Sequence, residues 1–338
     1  MQGCSTPNPY YNPNRAHHRP DGFVNSDGSV ISKSLPDLIR WYRERFGLSL
    51  PPPPGESYAS YAAFPQQAFN KAQLPRNVRS VTWLGHATVL LKLQHITVLT
   101  DPHFSERAFP VQWAGPQRKV KAPAQVADLP PIDVVVLSHN HYDHTDKTTL
   151  LELANAQPHT LFLVPLGLEK TLQDWGIDRV KALDWWNTIE LANTELTLVP
   201  AHHWSARSFF DRNTTLWGGW VVKEPGFSFF FSGDTGYSQD FQEIGRRLGP
   251  FNLSAIAVGA YEPRWFMKAQ HINPEEAVRV HQEVGSALSI GVHWGTFELT
   301  DEALDKPVED LKKAKAKLGV ADSAFRLLAQ GQTVALGP

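Results

Sequence analysis

The stretch Ser138-His139-Asn140-His141-Tyr142-Asp143-His144 decides how the rest of the chain is read. It follows Ile132-Asp133-Val134-Val135-Val136-Leu137, a run with the β-branched composition of a buried strand. His139 and His141 are two apart, so on a chain leaving that strand both side chains point to one side. Asp143 and His144 lie in the turn beyond and face a second point. Imidazole and carboxylate are ligands that borderline metals such as zinc accept. Three histidines and an aspartate so close together at a strand end are hard to explain by packing. The bland alternative is a His-rich surface loop that binds nothing, and recurrence of the same strand-end pattern counts against it.

The recurrences supply further ligands. His202 or His203 follows Leu198-Val199-Pro200-Ala201. Asp234 sits in Gly233-Asp234-Thr235-Gly236-Tyr237 behind a run of Phe, and His293 sits in Val292-His293-Trp294-Gly295. Each lies at or just beyond a β-rich stretch, so one rim can gather them all. Two ions of four or five coordination account for the set. His139, His141 and a histidine of the 202–203 pair hold one. Asp143, His144 and His293 hold the other, and Asp234 bridges, leaving room for a shared water or hydroxide.

Around these residues the pattern predicts strands at 81–84, 89–93, 96–100, 132–137, 161–164, 189–191, 195–199, 217–222, 227–231, 255–258 and 289–292. Residues 189–199 read as a hairpin turning at Asn193-Thr194. Helices fit at about 146–155, 167–175, 240–248, 274–284 and 307–318. The helix at 274–284 has Asn273 as cap, Pro274 in its first turn, and Glu275 and Glu276 at its positive end. Tight turns join several strands directly, which favours two face-to-face sheets with helices outside over a doubly wound parallel sheet. Residues 1–34 are polar and read as an extended arm. Leu35 to Phe46 has helical spacing, with Ser34 as cap and Gly47 as stop, and Pro51 to Pro54 is a stiff link. The organisation expected is residues 1–75 as an arm with one helix and a polyproline link, and 76–338 as the main domain.

The bulk numbers fit a globular chain of 338 residues, with 42% hydrophobic and 20% charged residues. Lys plus Arg is 32 and Asp plus Glu is 34, so the formal net charge of −2 gives no reason to expect nucleic acid. Eleven Trp is a high count, best read as large residues filling a large core. The single cysteine, Cys4, excludes an internal disulfide and a Cys-rich metal site. No stretch reaches the roughly 18 apolar residues of a membrane span. Gly3-Cys4-Ser5 has the form of a bacterial lipoprotein cleavage site without its apolar segment. The expected location is therefore cytoplasmic or, with Cys4 lipidated, the bacterial envelope.

The His-x-His-x-Asp-His run, the later His, the Gly-Asp pair and the final His resemble the metallo-β-lactamase superfamily. More specifically, Trp83 to Thr88 (WLGHAT), Thr100-Asp101-Pro102, Ser138 to His144, His203-Trp204, Gly233 to Tyr237, Gly259 to Phe266 (GAYEPRWF), Gln270-His271 and His293 to Phe297 (HWGTF) resemble the N-acylphosphatidylethanolamine-hydrolysing phospholipase D family. The likeness runs from about residue 76 to 300. It implies an α/β fold, the metallo-β-lactamase-like four-layer αββα sandwich. It also implies two zinc ions, and cleavage of membrane phospholipids to phosphatidic acid and N-acylethanolamines. It selects His203, directly before Trp204, over His202. The implied ligand set is His139, His141, Asp143, His144, His203, Asp234 and His293.

Around that set, Asp101 resembles the superfamily's aspartate that accepts the outer N–H of a ligand histidine; the alternative is a turn residue before Pro102. His86 is either such a supporting group or a satisfied core histidine. Gln270 and His271 precede a helix N-terminus, a natural place for an anion. The resemblance places His271 over the metals, and Asp143 and His271 are the candidate catalytic groups. Tyr261 is a candidate for an acyl-chain groove, against the plainer reading of a core aromatic.

The expected function is thus a binuclear-metal phosphodiesterase of phospholipase D type, using a metal-bridging hydroxide on a phospholipid or other phosphodiester. Peripheral membrane contact and a homodimer are compatible with it. The rivals are a lactonase or phosphate-ester hydrolase, a nuclease of the same superfamily, and a non-catalytic metal-binding envelope protein.

Overall fold

The computed structural model describes residues 7–75 and 78–337. Cys4, Arg76 at the expected domain boundary, and Pro338 lie outside the described residues. The arm contributes β1 (His18–Arg19), β2 (Gly22–Phe23) and α1 (Leu35–Gly47). The body runs β3 (Ser80–Trp83), β4 (Val89–Lys92), β5 (Thr97–Thr100), β6 (Val134–Val136), α2 (Lys147–Ala156), β7 (Leu161–Pro165), α3 (Leu168–Asp174) and β8 (Val180–Leu183). It continues β9 (Thr188–Leu191), β10 (Thr194–Val199), β11 (Gly219–Glu224), β12 (Phe227–Phe231), α4 (Asp240–Leu248), β13 (Phe251–Ala257), α5 (Arg264–Met267) and α6 (Pro274–Glu283). It ends with β14 (Ser286–Val292), α7 (Lys306–Leu318), β15 (Phe325–Arg326) and β16 (Thr333–Ala335).

Two seven-stranded mixed sheets result, ordered β16-β3-β4-β5-β6-β7-β8 and β15-β14-β13-β12-β11-β10-β9. The central strands are buried on both faces, so they read as continuous apolar runs. Their side chains nonetheless alternate between layers. In the first sheet Leu91, Val98, Val134, Val136 and Leu163 turn inward onto Leu196, Leu198, Trp220, Val222, Phe229 and Phe231 of the second. Leu90, Leu99, Val135, Phe162 and Val164 turn outward under Leu150 and Leu153 of α2 and Leu168 and Leu172 of α3. On the outer side of the second sheet, α6 packs on β13 and β14, and α4 and α7 pack on α6. This is the αββα sandwich.

The pairing explains why one rim collects the chemistry. β5, β6 and β7 are mutually parallel, and β3 runs with them because both it and β5 are antiparallel to β4. β12, β13 and β14 are likewise parallel, and β10 shares their direction through β11. In each sheet these strands therefore end on the same side, and His86, Asp101, Ser138, His203, Asp234 and His293 all lie just beyond such ends.

Several local expectations hold. Ser34 forms a capping box with Asp37, and Asn273 forms one with Glu276. The hairpin turns one residue earlier than expected. Leu191 pairs with Thr194, so Ala192 and Asn193 form the turn, both with positive φ. That is the double left-handed geometry of a two-residue hairpin loop, in which Thr194 belongs to the strand. The arm is less extended than its composition suggests, because β1 and β2 pair and Phe23 enters the core. No helix among the described residues is long and apolar enough to cross a membrane.

The sheets are also joined by charge. Arg79, ahead of β3, bonds through Nε to Glu224 at the end of β11 (2.6 Å), and the same carboxylate accepts from Gln94 N in the β4–β5 turn (3.2 Å). Both side chains are almost fully buried. Arg79→Ala strands that carboxylate and is expected to cost about 3–5 kcal/mol in denaturant unfolding, whereas Arg79→Met with Glu224→Leu should cost clearly less. Equal losses in the two variants would show that the pair is not what joins the sheets there.

Candidate metal centre

The loop after β6 is fixed before any ligand is considered. Ser138 donates to Asp101 twice, from its backbone N (2.7 Å) and its Oγ (2.6 Å). Trp220 Nε1 donates to Leu137 O (2.8 Å). Beyond them the chain curls so that Thr145 Oγ1 donates to His139 O, and Arg207 Nη1 donates to both Asn140 O and Thr145 O. Asp234 approaches from the other sheet behind Gly233, which has a positive φ of 56°. A Cβ on Gly233 would stand 2.7 Å from Ser138 Cβ, so only glycine allows the two loops to meet this closely.

Two clusters form side by side. In the first, His141 Nδ1 lies 2.8 Å from His139 Nε2 and 3.3 Å from His203 Nε2. Two of the outer nitrogens are occupied: His203 Nδ1 faces Gln270 O (2.9 Å) and His139 Nδ1 faces Ser138 Oγ (2.9 Å), while His141 Nε2 makes no hydrogen bond among the described residues. In the second, Asp143 Oδ2 lies 2.9 Å from His86 Nε2 and 3.3 Å from both His144 Nε2 and His293 Nε2. Asp234 stands between the clusters, with Oδ2 3.2 Å from His144 Nε2 and Oδ1 3.1 Å from His293 Nε2. His144 Nδ1 is held by Asp101 Oδ2 at 2.6 Å. His271 Nδ1 lies 3.7 Å from Asp234 Oδ2. His141, Asp143 and His271 are only half-buried and mark the opening, while the others are buried beneath them.

Burial would make every ionised group here costly, and the shifts show how the cluster resolves it. Burial pushes His139 and His203 well below the ordinary histidine range, and His141 and His271 down to about 4. Burial acts the same way on His144 and His293, but Asp234 outweighs it with help from Asp143. His144 is raised well above its usual value and His293 to about 9. In turn His144 outweighs the effect of burial on Asp143 and Asp234 and holds both well below the usual carboxylate range. Burial pushes Asp101 up despite its bonds to His144 and Ser138.

This donor set fits divalent metal. His139 and His203, neutral imidazoles whose outer N–H is committed, turn bare Nε2 lone pairs inward at the first cluster, on either contact of His141 Nδ1. At the second, two carboxylates require positive charge between them, which protonated His144 and His293 supply from the chain itself. His144 Nε2, Asp234 Oδ1 and His271 Nδ1 are buried atoms that make no hydrogen bond among the described residues. The groups His139-His141-His203, His86-Asp143-His144-His293, His139-His144-Asp234 and Asp234-His271-His293 each place their ligand atoms within 4.8 Å of one another.

The remaining candidates are placed differently. His202 points away, with Nδ1 2.7 Å from Ala269 O and Nε2 3.0 Å from Ser29 Oγ. Gln270 meets the centre through its backbone carbonyl, while its amide contacts Met267 Sδ. Tyr261 is buried and donates to Asp310 on α7. Three supporting residues escaped the sequence reading: Ser138, Thr296, whose Oγ1 accepts from His86 N, and Asn25 of the arm, whose Oδ1 accepts from His203 N (2.9 Å). Ser138 could have been suspected from its place in the run. Asn25 carries no sequence signal, because it is distant in sequence and meets only a backbone amide.

The β-lactamase superfamily domain description matches residues 96–294. An N-acyl-phosphatidylethanolamine-hydrolyzing phospholipase D of Caenorhabditis elegans is 42% identical over 263 residues, covering 74% of each chain. An uncharacterized protein of Mycobacterium tuberculosis is 45% identical over 240 residues, covering 70% of this chain and 63% of its own, so this chain spans less than two thirds of that relative. The structure of a metallo hydrolase from Ignicoccus hospitalis superposes with a TM-score of 0.58 at 17% identity, over 77% of this chain and 99% of that one.

The two neighbouring histidines give a direct check on the geometry. His203→Ala removes one of three converging nitrogens and should lower the bound-metal count measured by elemental analysis. His202→Ala removes contacts to Ala269, Ser29 and Asp27, none of them in the clusters, and should leave that count unchanged. The opposite outcome would mean that the chain leaves β10 in the other register, since a one-residue slip exchanges the two faces.

Proposed function

The chain belongs to the metallo-β-lactamase superfamily, and we propose that it cleaves the phosphodiester of N-acylphosphatidylethanolamine-like lipids in the manner of a phospholipase D. The reading rests on one observation above all. The complete His/Asp cluster occurs in a chain 42% identical to a protein named for that activity, over nearly three quarters of both sequences.

In this reading His139, His141 and His203 would hold one cation, and Asp143, His144 and His293 the other, with Asp234 shared between them. Zinc is the natural occupant of such nitrogen and carboxylate donors. When bound, the pair supplies Lewis acidity towards a phosphoryl group and a water of lowered pKa. The chain does the positioning. Asp101 and Ser138 fix the ring of His144, Gln270 O fixes the tautomer of His203, and His86 orients the Asp143 carboxylate. Asp143 and His271 stand at the opening, where a substrate enters. Burial keeps His271 neutral near pH 7, so it serves as a hydrogen-bond donor to a phosphoryl or leaving oxygen, and not as a standing cation.

Two measurements test this. His271→Ala should lower kcat by about 10²–10³-fold, the usual range for one hydrogen-bond donor to developing charge, while metal content stays that of the wild type. A variant that loses metal as well would place His271 among the ligands. Turnover of an N-acylphosphatidylethanolamine in ¹⁸O-water should put the label in phosphatidic acid, because the bond broken is phosphorus to the ethanolamide oxygen. Label in a free fatty acid would mean attack on a carbonyl carbon and would hand the site to an esterase or lactonase.

A further inference from the structure

The arm brings a second set of donors onto the body, outside the two clusters described above. His17 Nε2 lies 2.6 Å from Asp184 Oδ1, and His18 Nε2 lies 3.2 Å from Asp184 Oδ2. All three residues are buried, and their ligand atoms lie within 4.8 Å of one another. None belongs to the clusters at the rim. Consecutive residues of an extended chain point to opposite faces, so two adjacent histidines on one carboxylate require a specific local path. That path is held. The His17 ring stacks on Trp185 with centroids 4.3 Å apart, and the His18 ring stands edge-on to Phe23 at 5.1 Å.

The ring nitrogens show what the arrangement asks for. His18 Nδ1 lies 2.9 Å from Tyr10 O and 3.2 Å from Asn12 N. Two tautomers are open to it: Nδ1 accepts from Asn12 N with the proton on Nε2, or Nδ1–H donates to the nearer carbonyl and Nε2 carries a bare lone pair, the form a metal selects. That Nε2 is buried and makes no hydrogen bond among the described residues, yet a carboxylate oxygen lies 3.2 Å away. A lone pair against an anionic oxygen is repulsive unless a proton or a metal ion stands between them. A histidine bonded through its outer N–H to a carbonyl, with its inner nitrogen beside a carboxylate, is the usual dress of a metal ligand. His203, on Gln270 O, repeats the carbonyl half of it at the rim.

We propose that His17, His18 and Asp184 form a further cation site, for a borderline transition metal such as Zn²⁺, that fastens the arm to the body. Two imidazoles and a carboxylate suit such an ion. Arg15 is its competitor. Its Nε lies 3.5 Å from Asp184 Oδ2, and its side chain is 40% exposed, so the guanidinium closes the contact without metal and swings to solvent with it. The Asp184 Oδ1 that faces His17 also accepts from Trp185 N (2.8 Å), which holds the carboxylate in place in either state.

The test is a metal count on the full chain, saturated with zinc and dialysed, with three variants beside the wild type. The expected result is three equivalents in the wild type and two in both His18→Ala and Asp184→Asn. The second variant keeps the shape and the Trp185 contact should the first fail to fold. Arg15→Gln should keep three and bind the third several-fold more tightly. A wild-type count of two that neither His18→Ala nor Asp184→Asn lowers would overturn the site. Weaker third-ion binding in Arg15→Gln would overturn it as well, by making the guanidinium a support instead of a competitor. Asp234→Asn separates this from the rim: its loss of metal concerns the centre alone and leaves the equivalent at Asp184 in place.

Discussion

Asp143 and Asp234 face the same few ångströms of space at the junction of two sheets, and positive charge must stand between them. Water cannot provide it, because Asp234, His144 and His293 are buried. Taking carboxylates out of water costs several kcal/mol each unless they are paired or ligating. The chain's own answer is to hold protons on His144 and His293, both raised above the ordinary histidine range by those carboxylates. Divalent cations are the other answer, and they leave the imidazoles neutral. Much of the surrounding architecture serves this one demand. Asp101 is buried at the price of an upward shift, and from there it fixes His144 and anchors Ser138 at the head of the ligand loop.

The rim can host such a cluster because the strands delivering it run the same way. Parallel ladders align the ends of β5 and β6 in one sheet and of β12, β13 and β14 in the other. Strain then appears where the aligned ends must turn sharply. His86, Asp101 and His293 all have positive φ without being glycine, at φ 47°, 33° and 63°. Such conformations cost of order 1–3 kcal/mol each and persist only where surroundings over-determine them. Here the surroundings are visible: His293 N donates to His86 O, Trp83 Nε1 donates to the same carbonyl, and Trp83 stacks on Trp294 at 5.3 Å.

This division explains what the sequence disclosed. The ligand loop was legible because its signal is local: His139, His141, Asp143 and His144 lie within one turn, and a buried strand precedes them. Asp234 and His293 were legible because each repeats the strand-then-ligand form. The sandwich followed from the number of strands joined by tight turns. The short strands β8, β15 and β16 were not legible. Thr333-Val334-Ala335 has no distinctive pattern, and its pairing with β3 across nearly the whole chain depends on tertiary packing alone. Asn25 and Gln270 were illegible in the needed sense for a related reason. Asn25 acts on a backbone amide and Gln270 through its own carbonyl, so neither contact has a residue-type signature.

Asn25 also shows that the arm is not peripheral to the chemistry. Its side-chain oxygen accepts from His203 N and from Trp217 Nε1, at a residue with no exposed surface. Withdrawing that buried amide would leave His203 N unpaired, at about 1–3 kcal/mol, while Trp217 Nε1 would keep its bond to Ala201 O (2.9 Å). The position of His203 is therefore set from two directions, by β10 beneath it and by the arm across it. Pairing of β1 with β2 and the contacts of His17 and His18 with Asp184 hold that arm on the body. Loosening the arm would free a backbone amide beside a candidate ligand, and the geometry of the first cluster would relax without any ligand having changed.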